Sequence, residues 1–116
     1  MTHALIIDDN MIVGRAVEKC LIPLGFDSFE HVWTEDQAVN AARNRQPDLV
    51  ILGDSIESGS VFDAARRISM EHEVAIVMIT ANSSRVRRRV PQDAAIDGPF
   101  MLHEIEDTVA IARLSI

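Results

Sequence analysis

The chain has 116 residues, of which 47% are hydrophobic, with a formal charge of −7 and a single cysteine. That length suits one compact domain with one core, and no apolar run approaches the roughly 18 residues a membrane span needs. An internal disulfide is excluded, no Cys/His cluster has zinc-ligand spacing, and the acidic balance opposes broad binding to nucleic acid or anionic membrane.

Apolar runs of four to six residues alternate with longer amphipathic stretches, an order that reads as βα repeated five times. Ala4–Ile7 forms the first continuous apolar run. Val13, Ala16, Val17, Cys20 and Leu24 then recur at helical spacing, with Pro23 and Gly25 marking the end, and Cys20 reads as buried filler. Phe26–Val32 is a weaker strand signal. Thr34 followed by Gln37 has the form of a capping box before Ala38, Ala41 and Ala42, and Trp33 is expected to cover the start of that helix.

Leu49–Leu52 and Val74–Ile79 are again continuous apolar runs, as expected of parallel strands covered on both faces. Between them, Ser60 opens a segment with Val61, Ala64, Ala65 and Ile68 on one side. A last weak strand is expected at Ala94–Asp97. A final helix from about Phe100 would bury Leu102, Ile105, Val109 and Ala112.

Such alternation implies an open parallel sheet with helices on both faces, whose ligands and chemistry collect beyond the carboxyl ends of the strands. Asp8-Asp9, Gly53-Asp54, Thr80-Ala81 and Asp97-Gly98 would then surround one crevice. Converging carboxylates at Asp8 and Asp9 favour a bound cation or a proton, and magnesium suits such a site. Capping of the next helix by Asp9 and Asn10 explains the same residues equally well.

Ile6-Ile7-Asp8-Asp9-Asn10, Pro47-Asp48-Leu49-Val50-Ile51-Leu52, Ile79-Thr80-Ala81 and Gly98-Pro99-Phe100 together resemble the receiver domain of two-component response regulators, the CheY-like family. The resemblance covers essentially the whole chain as a single domain. It implies a flavodoxin-like five-stranded parallel sheet in the order 2-1-3-4-5, phosphorelay signalling and no enzymatic activity of its own. In that family an acidic pair and an acceptor aspartate hold magnesium, a histidine kinase passes phosphate to the acceptor, and a hydroxyl residue and a lysine contact the phosphoryl group. An aromatic residue on the fifth strand reports the change.

Asp8 and Asp9 match the acidic pair and Thr80 matches the hydroxyl switch. The acceptor position falls on Gly53, the lysine position on Gly98, and the aromatic position on Ala95. Glycine has no nucleophile, so aspartyl phosphate cannot form at position 53, and a metal ligand is lost with it. Magnesium, or calcium in its place, is therefore expected to bind only weakly at Asp8 and Asp9. Asp54 is the displaced candidate acceptor, but one step along a strand turns a side chain to the opposite face, so rescue would need a bulge or an altered loop. Thr80 also has a structural explanation, a hydrogen bond to nearby backbone.

Arg85, Arg87, Arg88 and Arg89 crowd a fourth helical segment anchored only by Val86 and Val90 and stopped by Pro91. Like charges at these spacings cost a few tenths of a kcal/mol per pair. Glu104, Glu106 and Asp107 could compensate, within the chain or across a homodimer through the face of this segment, the fifth strand and the last helix, where Leu114 would be exposed. His3, His31, His72 and His103 show no catalytic or metal spacing.

The expectation is a soluble, cytoplasmic, stand-alone atypical receiver that works by protein contact, with a histidine kinase, another pathway component or its own copy as partner. Its rivals are a working receiver phosphorylated at Asp54 and a small-molecule sensor with a pocket near Gly53 and Ala95.

Overall fold

A computed structural model describes residues 2–81 and 96–114, with side chains as far as residue 109. Five parallel strands, β1 His3–Ile7, β2 Ser28–Val32, β3 Leu49–Leu52, β4 Ala75–Thr80 and β5 Asp97–Met101, form one sheet in the order β2-β1-β3-β4-β5. The described helices are α1 Met11–Leu21, α2 Glu35–Asn44, α3 Val61–Glu71 and α4 Ile105–Leu114. This is the sheet order and layering that the resemblance implies.

The continuous apolar runs become strands because both of their faces are covered. On one face Leu5, Ile7, Val50, Leu52, Ile76 and Met78 pack with the small residues of α2 and α3. On the other, Ala4, Ile6, Leu49, Ile51, Val77 and Ile79 meet α1 and α4 through Val17, Leu21, Ile105 and Val109. Ala38, Ala41 and Ala42 let α2 lie close to the sheet, and Arg43 with Glu71 and Arg67 with Glu35 tie α2 to α3 at the surface. Truncating a fully buried residue such as Leu5 or Ile51 to Ala would cost about 2–5 kcal/mol.

Helix starts follow local chemistry. Asn10 accepts from the Ile12 and Val13 amides, and Ser60 from those of Phe62 and Asp63. Thr34 accepts from the Gln37 amide at 3.1 Å, while the Gln37 side chain reaches back to the Trp33 amide, one residue before the reciprocal bond of a capping box. Trp33 is 41% exposed and so does not bury itself over α2 as expected. Cys20 is half-buried against the α1 side of the core.

The largest boundary differences from the sequence reading lie near the C-terminal end of the sheet. The fifth strand is Asp97–Met101 rather than Ala94–Asp97, because Phe100 and Met101 stand level with Ile79 and Thr80 and complete the ladder to β4. The last helix consequently starts at Ile105, after a 3-10 turn over Leu102–Glu104 in which the Glu104 side chain accepts from the Met101 amide at 3.0 Å. Pro99 is tolerated because β5 is an edge strand. Among the described residues no helix is long and apolar enough to cross a membrane.

Candidate functional site at the strand ends

The pairing register sets which residues meet beyond the sheet. Ile7 stands level with Leu52, and Leu52 with Met78. Counting on from these pairs puts Asp8 beside Gly53, and Asp54 in line with Thr80. The Gly53 amide still donates to the Ile7 carbonyl at 2.8 Å, so the first of these placements is held by a backbone bond.

Asp8 is only 6% exposed, and its Oδ1 accepts from the Asn10 amide at 2.9 Å. Its carboxylate lies across the Gly53 backbone. A Cβ on residue 53 would fall 2.0 Å from Asp8 Oδ2, 2.2 Å from its Cγ and 2.6 Å from its Cβ. Non-bonded atoms do not approach so closely, so Asp8 in this position requires glycine opposite it. Burial, together with the charges of Asp9 and Asp54, pushes the Asp8 carboxyl up to about 6 against the pull of the Asn10 amide.

Asp9 is tied elsewhere. Its Oδ1 accepts from the Ser55 hydroxyl at 3.0 Å, and its amide donates to the Ser55 carbonyl at 3.2 Å. Asn10 is the cap of α1, so of the two capping candidates it alone has that role. The loop from residue 53 to 60 is further fixed by Glu57 bonding the Trp33 carbonyl and by Glu35, whose amide donates to the Ser58 carbonyl and whose side chain accepts from the Ser60 amide. Gly59 permits this approach, with φ of +92° and Glu35 pressed against it.

Asp54 is directed at the end of β4. Its Oδ1 accepts from the Thr80 hydroxyl at 2.6 Å and its Oδ2 from the Ala81 amide at 3.2 Å. Continuing the β3–β4 register two residues past the Leu52–Met78 pair sets Asp54 opposite Thr80, and the carboxylate reaches it directly. No bulge in β3 is needed to bring Asp54 into the crevice. Thr80 is fully buried, and its hydroxyl donates to this carboxylate.

Three carboxylates thus share the crevice with separate partners: Asn10 for Asp8, Ser55 for Asp9, and Thr80 with Ala81 for Asp54. Among the described residues no three His, Cys, Asp or Glu side chains group to hold a metal ion. The arrangement does not fit the magnesium centre that the resemblance implies.

Gly98 has φ of +124°, and a Cβ there would lie 2.7 Å from the Met78 carbonyl oxygen. A lysine at this position would therefore be strained by backbone and neighbour alike. The pocket expected near Gly53 is filled on that side by Asp8, and Ala95 lies outside the described residues. A groove of about 380 Å3 lies instead beside edge strand β2, lined by Glu30, His31, Trp33, Gln37, Asn40 and Asn44 among others. Arg85, Arg87, Arg88 and Arg89, and the side chain of Leu114, also lie outside the described part. Glu106 and Asp107 are exposed on α4.

Solved structures share this architecture along nearly the whole chain. The N-terminal domain of a response regulator/sensory box/GGDEF three-domain protein from Carboxydothermus hydrogenoformans superposes with a TM-score of 0.79 at 20% identity, covering 98% of this chain and 95% of that one. The fold is that of a receiver domain. The chemotaxis response regulator CheY4 of Vibrio cholerae gives 0.77 at 18% identity, covering 97% and 98%. A chain of the complex between histidine kinase ThkA and response regulator protein TrrA gives 0.78 at 20%, again covering 97% and 98%. No protein-family model and no curated protein matches the chain by sequence.

Proposed function

We propose that this chain is an atypical receiver module of two-component signalling, a non-catalytic component that works by protein contact and forms no aspartyl phosphate at position 53. The observation that carries the reading is the packing of Asp8 on Gly53, with atoms as close as 2.0 Å to where a side chain would begin. Position 53 has lost its nucleophile and also the room for one. With the carboxylates held by separate partners and no lysine at position 98, the module needs no magnesium, and any binding at Asp8 and Asp9 is residual.

A histidine kinase or another component of the pathway is the partner class, by analogy with response regulator TrrA, which is in complex with histidine kinase ThkA. Self-association through the arginine-bearing segment and α4 is the alternative, with Arg85, Arg87, Arg88 and Arg89 meeting acids such as Glu104 and Asp107 and an apolar contact at Leu114. Sedimentation at high concentration separates the two, since an ion-pair dimer dissociates as salt rises while a monomer sediments alike throughout.

Phosphorylation at Asp54 is the second reading, favoured by the position of that carboxylate close enough to Asp8 to raise its pKa. Incubation with acetyl phosphate and magnesium, followed by the mass of the intact protein, decides between them. An unchanged mass supports the first reading, and a gain of one phosphate lost in Asp54→Ala supports the second.

A further inference from the structure

The Thr80 hydroxyl and the Ala81 amide converge on one carboxylate, from the last residue of β4 and the first beyond it. Thr80 is fully buried, so its hydroxyl needs an acceptor, and one supplied by an anion forms a shorter and stronger bond than a neutral one would. The 2.6 Å separation is of that kind. Two donors at a strand end, one side chain and one main chain, make a small oxyanion site.

The geometry points to Asp54 as a tethered ligand of this site, which fills it without any added oxyanion. The inference rests on the reading of the chain as a receiver module and specifies what occupies this site. What delivers the carboxylate is the fixed loop from residue 53 to 60, held by Ser55 to Asp9, by Glu57 to Trp33 and by Ser58 to Glu35. Because donor and acceptor are parts of one folded chain, no association entropy opposes the contact, and a free oxyanion at ordinary concentration cannot compete with it. Asp54 is a positioning residue in this scheme: it acts on Thr80 and Ala81 and undergoes no reaction.

The test uses the full chain, its Asp54→Ala variant and the double variant Asp54→Ala with Thr80→Ala, with sodium acetate as the probe and the Ala81 amide followed by NMR. In Asp54→Ala the Ala81 resonance should move and its hydrogen exchange should quicken by about tenfold, the order expected for loss of one charge-assisted hydrogen bond. Acetate should return the signal toward its original position in Asp54→Ala, leave the double variant unaffected and leave the wild type unchanged. If Asp54→Ala fails to fold, Asp54→Asn keeps the shape and removes the charge, and its Ala81 signal should move in the same direction. An Ala81 signal unmoved in the folded variant, or a wild-type chain that responds to acetate as strongly as Asp54→Ala, overturns the inference. Uptake of phosphate by the wild type, with the Ala81 and acetate responses as expected, overturns the functional reading beneath it while leaving the Asp54 contact in the unmodified chain standing, so the two failures are told apart.

Discussion

Asp8 and Gly53 occupy a single volume between β1 and β3: the carboxylate of one lies where the side chain of the other would start, 2.0 Å from an ideal Cβ. Glycine at position 53 is in this sense a packing partner of Asp8. Gly53→Ala should destabilise the fold by about 1–3 kcal/mol through overpacking. The cost should shrink in the double variant Asp8→Gly, Gly53→Ala, where the obstructing side chain is gone. Urea unfolding of the four proteins as a double-mutant cycle measures the coupling, and additive effects would contradict the shared volume.

The buried Asp8 carboxyl gives the second test. Its folded-state value of about 6 lies above the ordinary aspartate value of 3.8, so the native state holds this proton more tightly than the unfolded chain does. Stability therefore falls as pH rises between these two values and reaches its full penalty above the higher one. The difference corresponds to about 3 kcal/mol at neutral pH. Asp8→Asn keeps an oxygen for the Asn10 amide and removes the charge, so it should stabilise the protein at pH 7 and lose that advantage in acid. Unfolding free energies across the range, compared for the two proteins, check both sign and window.

Restoring the lysine of the resembled family at position 98 should fail on structural grounds. Gly98→Lys places a side chain at φ of +124° and 2.7 Å from the Met78 carbonyl oxygen. A cost of about 1–3 kcal/mol is expected for such a backbone conformation. Thermal unfolding measures it, and a variant as stable as the parent would show that β5 adapts.

The fold was legible because β1, β3 and β4 are unbroken apolar runs, a pattern imposed by helices on both sheet faces. The fifth strand was misplaced because the last helix was expected to begin at about Phe100, while in the fold Gly98 to Met101 lie in an edge strand beside β4. At the site, the lack of a nucleophilic side chain at Gly53 could be read from the residue alone. That Asp8 would cover it could not, since the approach depends on how two strands from distant parts of the chain sit in register. Alternation along β3 suggested that Asp54 would need a bulge to reach the crevice, whereas the β3–β4 register puts Thr80 on the same line and within its reach.

Magnesium should have little effect. With Asp8, Asp9 and Asp54 committed to different partners, binding is expected only in the millimolar range, and even at ten times the dissociation constant it adds no more than about 1.4 kcal/mol. The small rise in melting temperature should vanish in Asp8→Asn. Micromolar affinity by calorimetry would show that the three carboxylates regroup around the ion.

The central claim, that position 53 is closed and Asp54 serves as a fixed anion, meets its most direct test in the intact mass after incubation with acetyl phosphate and magnesium. Wild type, Asp54→Ala and Gly53→Asp should all keep their original masses, the last because Asp8 occupies the space its new side chain needs. A wild-type chain that gains one phosphate, with the gain absent from Asp54→Ala, would contradict the account and make Asp54 an acceptor.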